Sequence, residues 1–322
     1  MRLSDSHAMA QPLNLVFCGT PRFAVPTLER LAESGSKISL VITQPDRPRG
    51  RGMELSFSPV KESALALGMP VLQPARIKEN PELQSQLTAI GPDAIIVVGY
   101  GRIIPQWMLD LPSMGNLNLH ASLLPKYRGA APVQWAIARG ETTTGVTTMR
   151  IDAGLDTGDI LLQQELPISA DDTAEILAPR LASIGAELMV ATLRELQANS
   201  LQARPQDESQ ATLAPILRKE DGRIDFHCTA QEICNRLRGF QPWPGAYTSF
   251  RGKQFQVWAA KPVQRVLPEA ELATEGDHLF AGCGDGSSLQ LLEVQIEGKK
   301  RMPARDFIHG YRPNPHEKLG AV

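Results

Sequence analysis

The sequence predicts an α/β protein: a Rossmann-like domain on a mostly parallel sheet, followed by a small OB-like β-barrel domain. Three observations carry this. The chain has 322 residues, more than one core usually serves. Its first two thirds alternate apolar runs with helix-period segments. Its last third breaks into short strand-like pieces punctuated by glycine.

Leu13 to Cys18 is an apolar run ending in Gly19, followed by a helical pattern through Phe23, Leu28 and Leu31, hence strand, turn and helix. Ile38 to Ile42 is a second strand, and Ala94 to Val98 a third, apolar throughout as a strand buried on both faces should be. Further strands are expected at Leu117 to His120, Val146 to Ile151 and Ile160 to Leu162, with a helix at Pro81 to Ala89 among the intervening segments. A long helix follows from Thr173 to Leu196, capped by Asp172 with Glu175 three residues on. Pro179 should kink that helix or delay its start. Polar residues from Ala198 to Pro215 read as an interdomain linker. A helix at Ala230 to Leu237 then precedes strands at Tyr247 to Phe250, Gln254 to Ala259, His278 to Ala281 and Ser288 to Val294, with bends at Gly252, Gly282 and Gly286. The expected organisation is an extension over 1–12, a catalytic domain over 13–197, a linker over 198–215 and a C-terminal domain over 216–322.

Composition excludes several classes. A net charge of −2 gives no overall preference for nucleic acid, so any such contact rests on local clusters. No apolar run approaches the roughly 18 residues of a membrane span, and Met1 to Pro12 lacks a signal-peptide core, so a cytoplasmic chain is expected. Cys18, Cys228, Cys234 and Cys283 lack metal-ligand or disulfide spacing, and the six histidines are scattered; no metal site is expected.

Four segments carry candidate chemistry. Gly19-Thr20-Pro21-Arg22-Phe23-Ala24 follows the first strand, where doubly wound proteins bind ligands, but it is not G-x-G-x-x-G. It reads either as a tight turn or as a helix N-terminus that holds an anion. In Asn118-Leu119-His120 the two-residue period puts an amide and an imidazole on one face. Such a pair suits acyl transfer, one group steadying an oxyanion and the other moving a proton; alone, it reads more often as a satisfied polar pair. Asp152 to Asp159 is a Gly-rich acidic stretch without EF-hand spacing, either a plain turn or the place of an Asp held near His120 to orient a water or amine. Pro45 to Gly52 holds Arg47, Arg49 and Arg51 in an exposed loop, either solvated or matched to phosphates.

Together these pieces are more specific. Asn118 to Pro125, then Arg128-Gly129-Ala130-Ala131-Pro132, Gly145-Val146-Thr147 and Asp156-Thr157-Gly158-Asp159, resemble the formyltetrahydrofolate-using formyltransferases. Gly19-Thr20-Pro21, Gln44-Pro45-Asp46-Arg47-Pro48, Arg223-Ile224-Asp225, Pro242-Trp243-Pro244 and Gly298-Lys299-Lys300 are similar to the branch acting on initiator methionyl-tRNA, and the likeness runs from Leu13 onward. The resemblance implies 10-formyltetrahydrofolate as co-substrate, no metal, and initiator methionyl-tRNA as partner of a monomeric enzyme. It implies Asn118, His120 and Asp156 as catalytic residues and Ser122, Leu123, Leu124 and Pro125 as the folate-contacting segment. It gives the basic loop to tRNA, with Arg51 as its reader. Lysines commonly follow Gly-Arg-Gly in such loops; here Met53 and Glu54 stand there, so Arg47, Arg49 and Arg51 are expected to grip with help from Lys61. Arg236, Arg238, Arg251, Lys253, Lys299, Lys300 and Arg301 make the C-terminal domain basic, with Arg251, Lys253, Lys299 and Lys300 as expected tRNA contacts. The alternatives are a formyltransferase for a small amine (glycinamide ribonucleotide or an aminosugar nucleotide), a folate hydrolase, and a non-catalytic tRNA-binding protein.

Overall fold

The apolar runs become the inner strands of a seven-stranded sheet, seen in a computed structural model that describes residues 11–49 and 54–320. The chain forms two units. One takes the described residues up to 129 with 145–166 and 178–213; the other takes 130–144, 167–177 and those from 214 onward.

In chain order the first strands are β1 (Asn14–Gly19), β2 (Lys37–Ile42), β3 (Arg47–Arg49), β4 (Glu54–Ser56), β5 (Val71–Leu72), β6 (Ala94–Val98), β7 (Asn116–His120), β8 (Thr143–Arg150) and β9 (Ile160–Pro167). β3 and β4 form a separate hairpin; the rest run in the order β5-β2-β1-β6-β7-β8-β9. Pairing is parallel from β5 across to β7, and β8 runs antiparallel to β7. Leu15, Val16, Phe17, Ile95, Ile96 and Val98 are fully buried, as strands covered on both faces require. The sheet reverses its winding between β1 and β6, the position at which such sheets bind ligands beyond their carboxyl ends.

The helices are α1 (Val25–Glu33), α2 (Pro59–Ala66), α3 (Pro81–Ile90), α4 (Gln106–Leu109), α5 (Pro132–Ala138) and α6 (Ala174–Gln197). α6 fixes which way β7 faces. Gly185 of α6 lies so close to Leu119 that an added Cβ would meet Leu119 Cδ2 at 2.6 Å. Leu119 is therefore held under the helix, and alternation turns Asn118 and His120 to the opposite face.

Two expectations for α6 need correcting. The hydroxyl of Thr173 accepts from the Ile176 amide (3.4 Å), whereas the Asp172 carboxylate accepts from Ser169 N (2.8 Å), so Asp172 is not the cap. The helix also starts ahead of Pro179 and runs through it. Burial of Leu177, Leu181, Met189 and Leu193 at about 1.5–3 kcal/mol each outweighs the roughly 3 kcal/mol that an interior proline costs. α6 further reaches the length and mean hydropathy (1.4) of a membrane-crossing helix, which the sequence was expected to lack. These buried side chains account for that composition.

The second unit adds α7 (Ala230–Gly239), β10 (Ala246–Phe250), β11 (Lys253–Val263), β12 (Leu272–Glu275), β13 (His278–Gly282), β14 (Ser288–Ile296), β15 (Met302–Pro303) and α8 (Ala304–Tyr311). Its antiparallel sheet runs β10-β11-β14-β13-β12, with β15 on β14. Among the described residues no pairing closes β12 onto β10, so the OB-like sheet is an open one. Its core is aromatic: Phe307 of α8 lies edge-on to Phe250 (5.1 Å) and Phe255 (5.2 Å) and stacks on Tyr311. α7 begins in a capping box, with Thr229 accepting from Glu232 N and Glu232 Oε2 accepting from Thr229 N.

All four cysteines are free. Burial pushes the Cys18 thiol far up, Cys283 up to about 12 and Cys234 up to about 11; Cys228, half-buried, is raised less. Since the thiolate is the nucleophile, alkylation at pH 8 should modify Cys228 ahead of the other three, and all four equally in denaturant. Prompt native labelling of Cys18 would contradict this packing.

Candidate active site

β7 delivers Asn118 and His120 to one face at the carboxyl edge of the sheet, with His120 paired in register with Thr147 of β8. His120 is only 6 % exposed. Its Nε2 lies 2.8 Å from the Tyr127 carbonyl oxygen. A carbonyl can only accept, so Nε2 carries the hydrogen. That leaves Nδ1, which faces Asp156 Oδ2 at 3.7 Å, beyond hydrogen-bond length. Asp156 Oδ2 itself accepts from the Gly129 amide at 2.9 Å. The half-buried Asn118 side chain makes no hydrogen bond to any described residue, so its amide is available as a donor.

Both partners of the imidazole sit in left-handed backbone: Tyr127 at φ 63° and Asp156 at φ 53°. Aspartate tolerates that region; a bulky tyrosine rarely does, and such strain gathers where surrounding structure imposes it for function. Here Thr212 imposes part of it, its hydroxyl accepting from Tyr127 N at 2.9 Å and its carbonyl from Arg128 N at 2.8 Å.

Thr147 supports the same edge from below. Its buried hydroxyl donates to Ser122 O (2.7 Å) and accepts from Leu124 N (3.1 Å) and Gln163 Nε2 (3.0 Å). In the expected folate segment, Ser122 donates to Lys126 O and Leu124 is buried against Met149 and Ile160, so these two side chains face the protein. Leu123 and Pro125 keep partial exposure, Leu123 lying over Gly145 where a Cβ would meet its Cδ2 at 2.5 Å.

In the acidic turn, Asp152 accepts from Gly154 N (3.0 Å) and Thr157 Oγ1 (2.8 Å), which makes it an Asx turn. No group of three metal-ligating side chains occurs among the described residues. The polar stretch 198–213 lies across this region: Arg204 bridges Ile160, and Gln206 Nε2 donates to the carbonyls of Asp156 and Gly158, each at 2.8 Å.

Beyond β1, Gly19 admits the Val98 carbonyl where a Cβ would lie 3.0 Å from it, and the chain turns through Arg22–Ala24 into α1. Gln44 donates to Tyr100 O (2.8 Å) above that crevice. The basic loop includes β3, which pairs with β4. Arg51, with Gly50, Gly52 and Met53, lies outside the described residues, as do the side chains of Arg49 and Glu54. Arg47 is exposed and donates to Gln44. Lys61 differs from expectation: it pairs with Asp46 at 2.5 Å under the Phe57 ring, so its charge is already matched.

In the second unit Arg251 is likewise engaged, forked onto the Glu317 carboxylate at 2.7 and 2.8 Å. The side chains of Lys253, Lys299 and Lys300 are exposed without partners among the described residues. β11 and β14 pair Phe255 with Ile296, which brings these three lysines to one end of the sheet. Arg301 covers the Trp258 ring beside them.

An acyl transferase is the class that such an amide–imidazole–carboxylate set suits. The Formyl transferase model matches residues 13–193 and the Formyl transferase C-terminal domain model residues 216–312. The chain belongs to the formyl transferase family. It is 66 % identical over 308 residues to the methionyl-tRNA formyltransferase of Koribacter versatilis, covering 96 % of this chain and 99 % of that one. To the enzyme of the same name from Acidobacterium capsulatum it is 59 % identical over 312 residues, covering 96 % and 100 %. Among solved structures, the N-formyltransferase of Helicobacter canadensis in complex with folinic acid and dTDP-3-aminofucose shares the fold, with a TM-score of 0.64 at 21 % identity over 88 % of this chain and 99 % of that one.

Proposed function

We propose that the chain transfers the formyl group of 10-formyltetrahydrofolate to the amino group of methionine on initiator methionyl-tRNA. The observation that carries this is 66 % identity across 99 % of a relative named for that acceptor. The candidate site supports it chemically. Asn118 Nδ2 donates to the formyl oxygen as it becomes negative during attack by the neutral amine. His120, its Nε2–H spent on Tyr127 O, serves with Nδ1, as second donor to that oxygen when protonated. Asp156 helps the amine's proton leave, and an equal proton is returned to the folate nitrogen as its bond to the formyl carbon breaks. Leu123 and Pro125 are the exposed part of the expected folate segment. We place the chain in the cytoplasm, acting as a monomer, which suits its four unpaired thiols.

For tRNA, Arg47 and the lysine cluster at the end of β11 carry charges unmatched by a carboxylate among the described residues, with Arg51 as the expected reader; Lys61 and Arg251 are each paired with a carboxylate. Binding of charged initiator tRNA should weaken steeply with salt. Replacing Lys253, Lys299 and Lys300 by glutamine should flatten the log–log salt slope by about 2, at roughly 0.7–0.9 per phosphate contact, and leave the rate at saturating tRNA unchanged. An unaltered slope would remove this cluster from the interface.

A further inference from the structure

The segment 198–213 does more than connect. Its Gln206 joins the two loops that flank His120. Its side-chain Nε2 donates to the backbone carbonyls of Asp156 and Gly158 (2.8 Å each). Its Oε1 accepts from Arg128 Nε (3.0 Å) and Nη2 (2.8 Å). Arg128 is 6 % exposed and is the residue between Tyr127, whose carbonyl accepts from His120, and Gly129, whose amide holds Asp156 Oδ2. Glu208 completes the fork on Arg128 at 2.7 and 2.9 Å. One amide side chain thus uses both its ends, and every bond it makes leads to one of the two groups that contact the imidazole.

We propose that Gln206 is a positioning residue for formyl transfer, holding the left-handed Asp156 turn in register with His120 through the Asp156 and Gly158 carbonyls. The reasoning is geometric. Asp156 sits in left-handed backbone, which aspartate tolerates without being confined to it. Its carboxylate is 3.7 Å from Nδ1, so a small rotation of the turn opens the gap to a useless distance. A misplacement of about 1 Å at reacting groups costs on the order of a hundredfold in rate. The Gly129 amide holds the carboxylate end, Gln206 supplies the two side-chain donors that hold the turn's backbone carbonyls, and Arg128 fixes the amide's own orientation. This inference rests on the assignment of Asp156 to the reaction.

The test is kinetic, on the full chain with charged initiator tRNA and 10-formyltetrahydrofolate. Gln206→Leu removes all the bonds; Gln206→Glu keeps the Arg128 contact and replaces the two donors by repulsion against two carbonyls. Both should lower kcat by about tenfold to a hundredfold while KM for either substrate stays within about twofold and melting stays cooperative. The Glu variant carries the test should the Leu variant fail to fold. Asp207→Ala, which disturbs the neighbouring turn at Ser209 without touching Asp156, should keep wild-type kcat. In an Asp156→Asn background, Gln206→Glu should cost little more, because both act on one group. Wild-type kcat in Gln206→Glu, or a loss shared equally by Asp207→Ala, overturns the positioning role. If Asp156→Asn itself retains full activity, it is the catalytic assignment that fails.

Discussion

His120→Ala lowers single-turnover formyl transfer by on the order of a hundredfold or more, and Asn118→Ala does the same, because each removes one donor from a developing oxyanion at about 3 kcal/mol. The two effects differ in kind. The Asn118 side chain makes no hydrogen bond to a described residue, so its truncation leaves the fold intact and shows as a pure rate effect. His120 also donates to the Tyr127 carbonyl, so its loss removes a buried hydrogen bond and costs about 0.5–1.5 kcal/mol of stability as well. Rapid-quench formylation at saturating substrates, with thermal melts alongside, separates the two. Near-full transfer by either variant would remove that residue from the chemistry.

Thr147→Val produces the largest stability loss expected from a single isosteric change near the site, about 3 kcal/mol. The hydroxyl serves the Ser122 carbonyl, the Leu124 amide and the Gln163 side chain, all in a place where valine's methyl fills the space and satisfies none of them. Each buried polar group left without a partner costs about 1–3 kcal/mol. Gln163 retains its bond to Leu124 O, which limits the total. The same change loosens the 122–125 segment, so KM for the folate donor should rise more than kcat falls. Equilibrium denaturation measures the first effect; a midpoint within experimental scatter of wild type would show that Thr147 is not the post holding that segment.

The sheet edge that carries the candidate site was legible in the sequence because its determinants are local. Alternation along Asn118-Leu119-His120 states which side chains share a face, and continuous burial marks Ala94 to Val98 as an inner strand. Four of the second unit's strands, β10, β11, β13 and β14, were legible through glycine bends and strand-like runs, whereas the short β12 and β15 were not expected. What was not legible depends on partners far apart in sequence. Nothing local in Asp172-Thr173 distinguishes which side chain caps α6, since Asp172 is taken by Ser169. Pro179 argues against the helix until the depth of burial on the opposite side is known. The short α8 was not expected, although Phe307 anchors the second core. Lysine and arginine count as free charges until their carboxylates are found: Asp46 for Lys61 and Glu317 for Arg251. The polar text at 198–213 reads as a linker because its bonds run back to Arg128, Asp156 and Ile160, a relation that no window of sequence contains.

The central claim concerns the acceptor, and one competition decides it. Formyl-labelled 10-formyltetrahydrofolate is supplied with the full chain and, in separate reactions, charged initiator methionyl-tRNA, charged elongator methionyl-tRNA and glycinamide ribonucleotide. Label should enter the methionine of initiator tRNA far faster than either alternative. Comparable or faster labelling of glycinamide ribonucleotide, or no transfer to tRNA at all, would contradict the assignment.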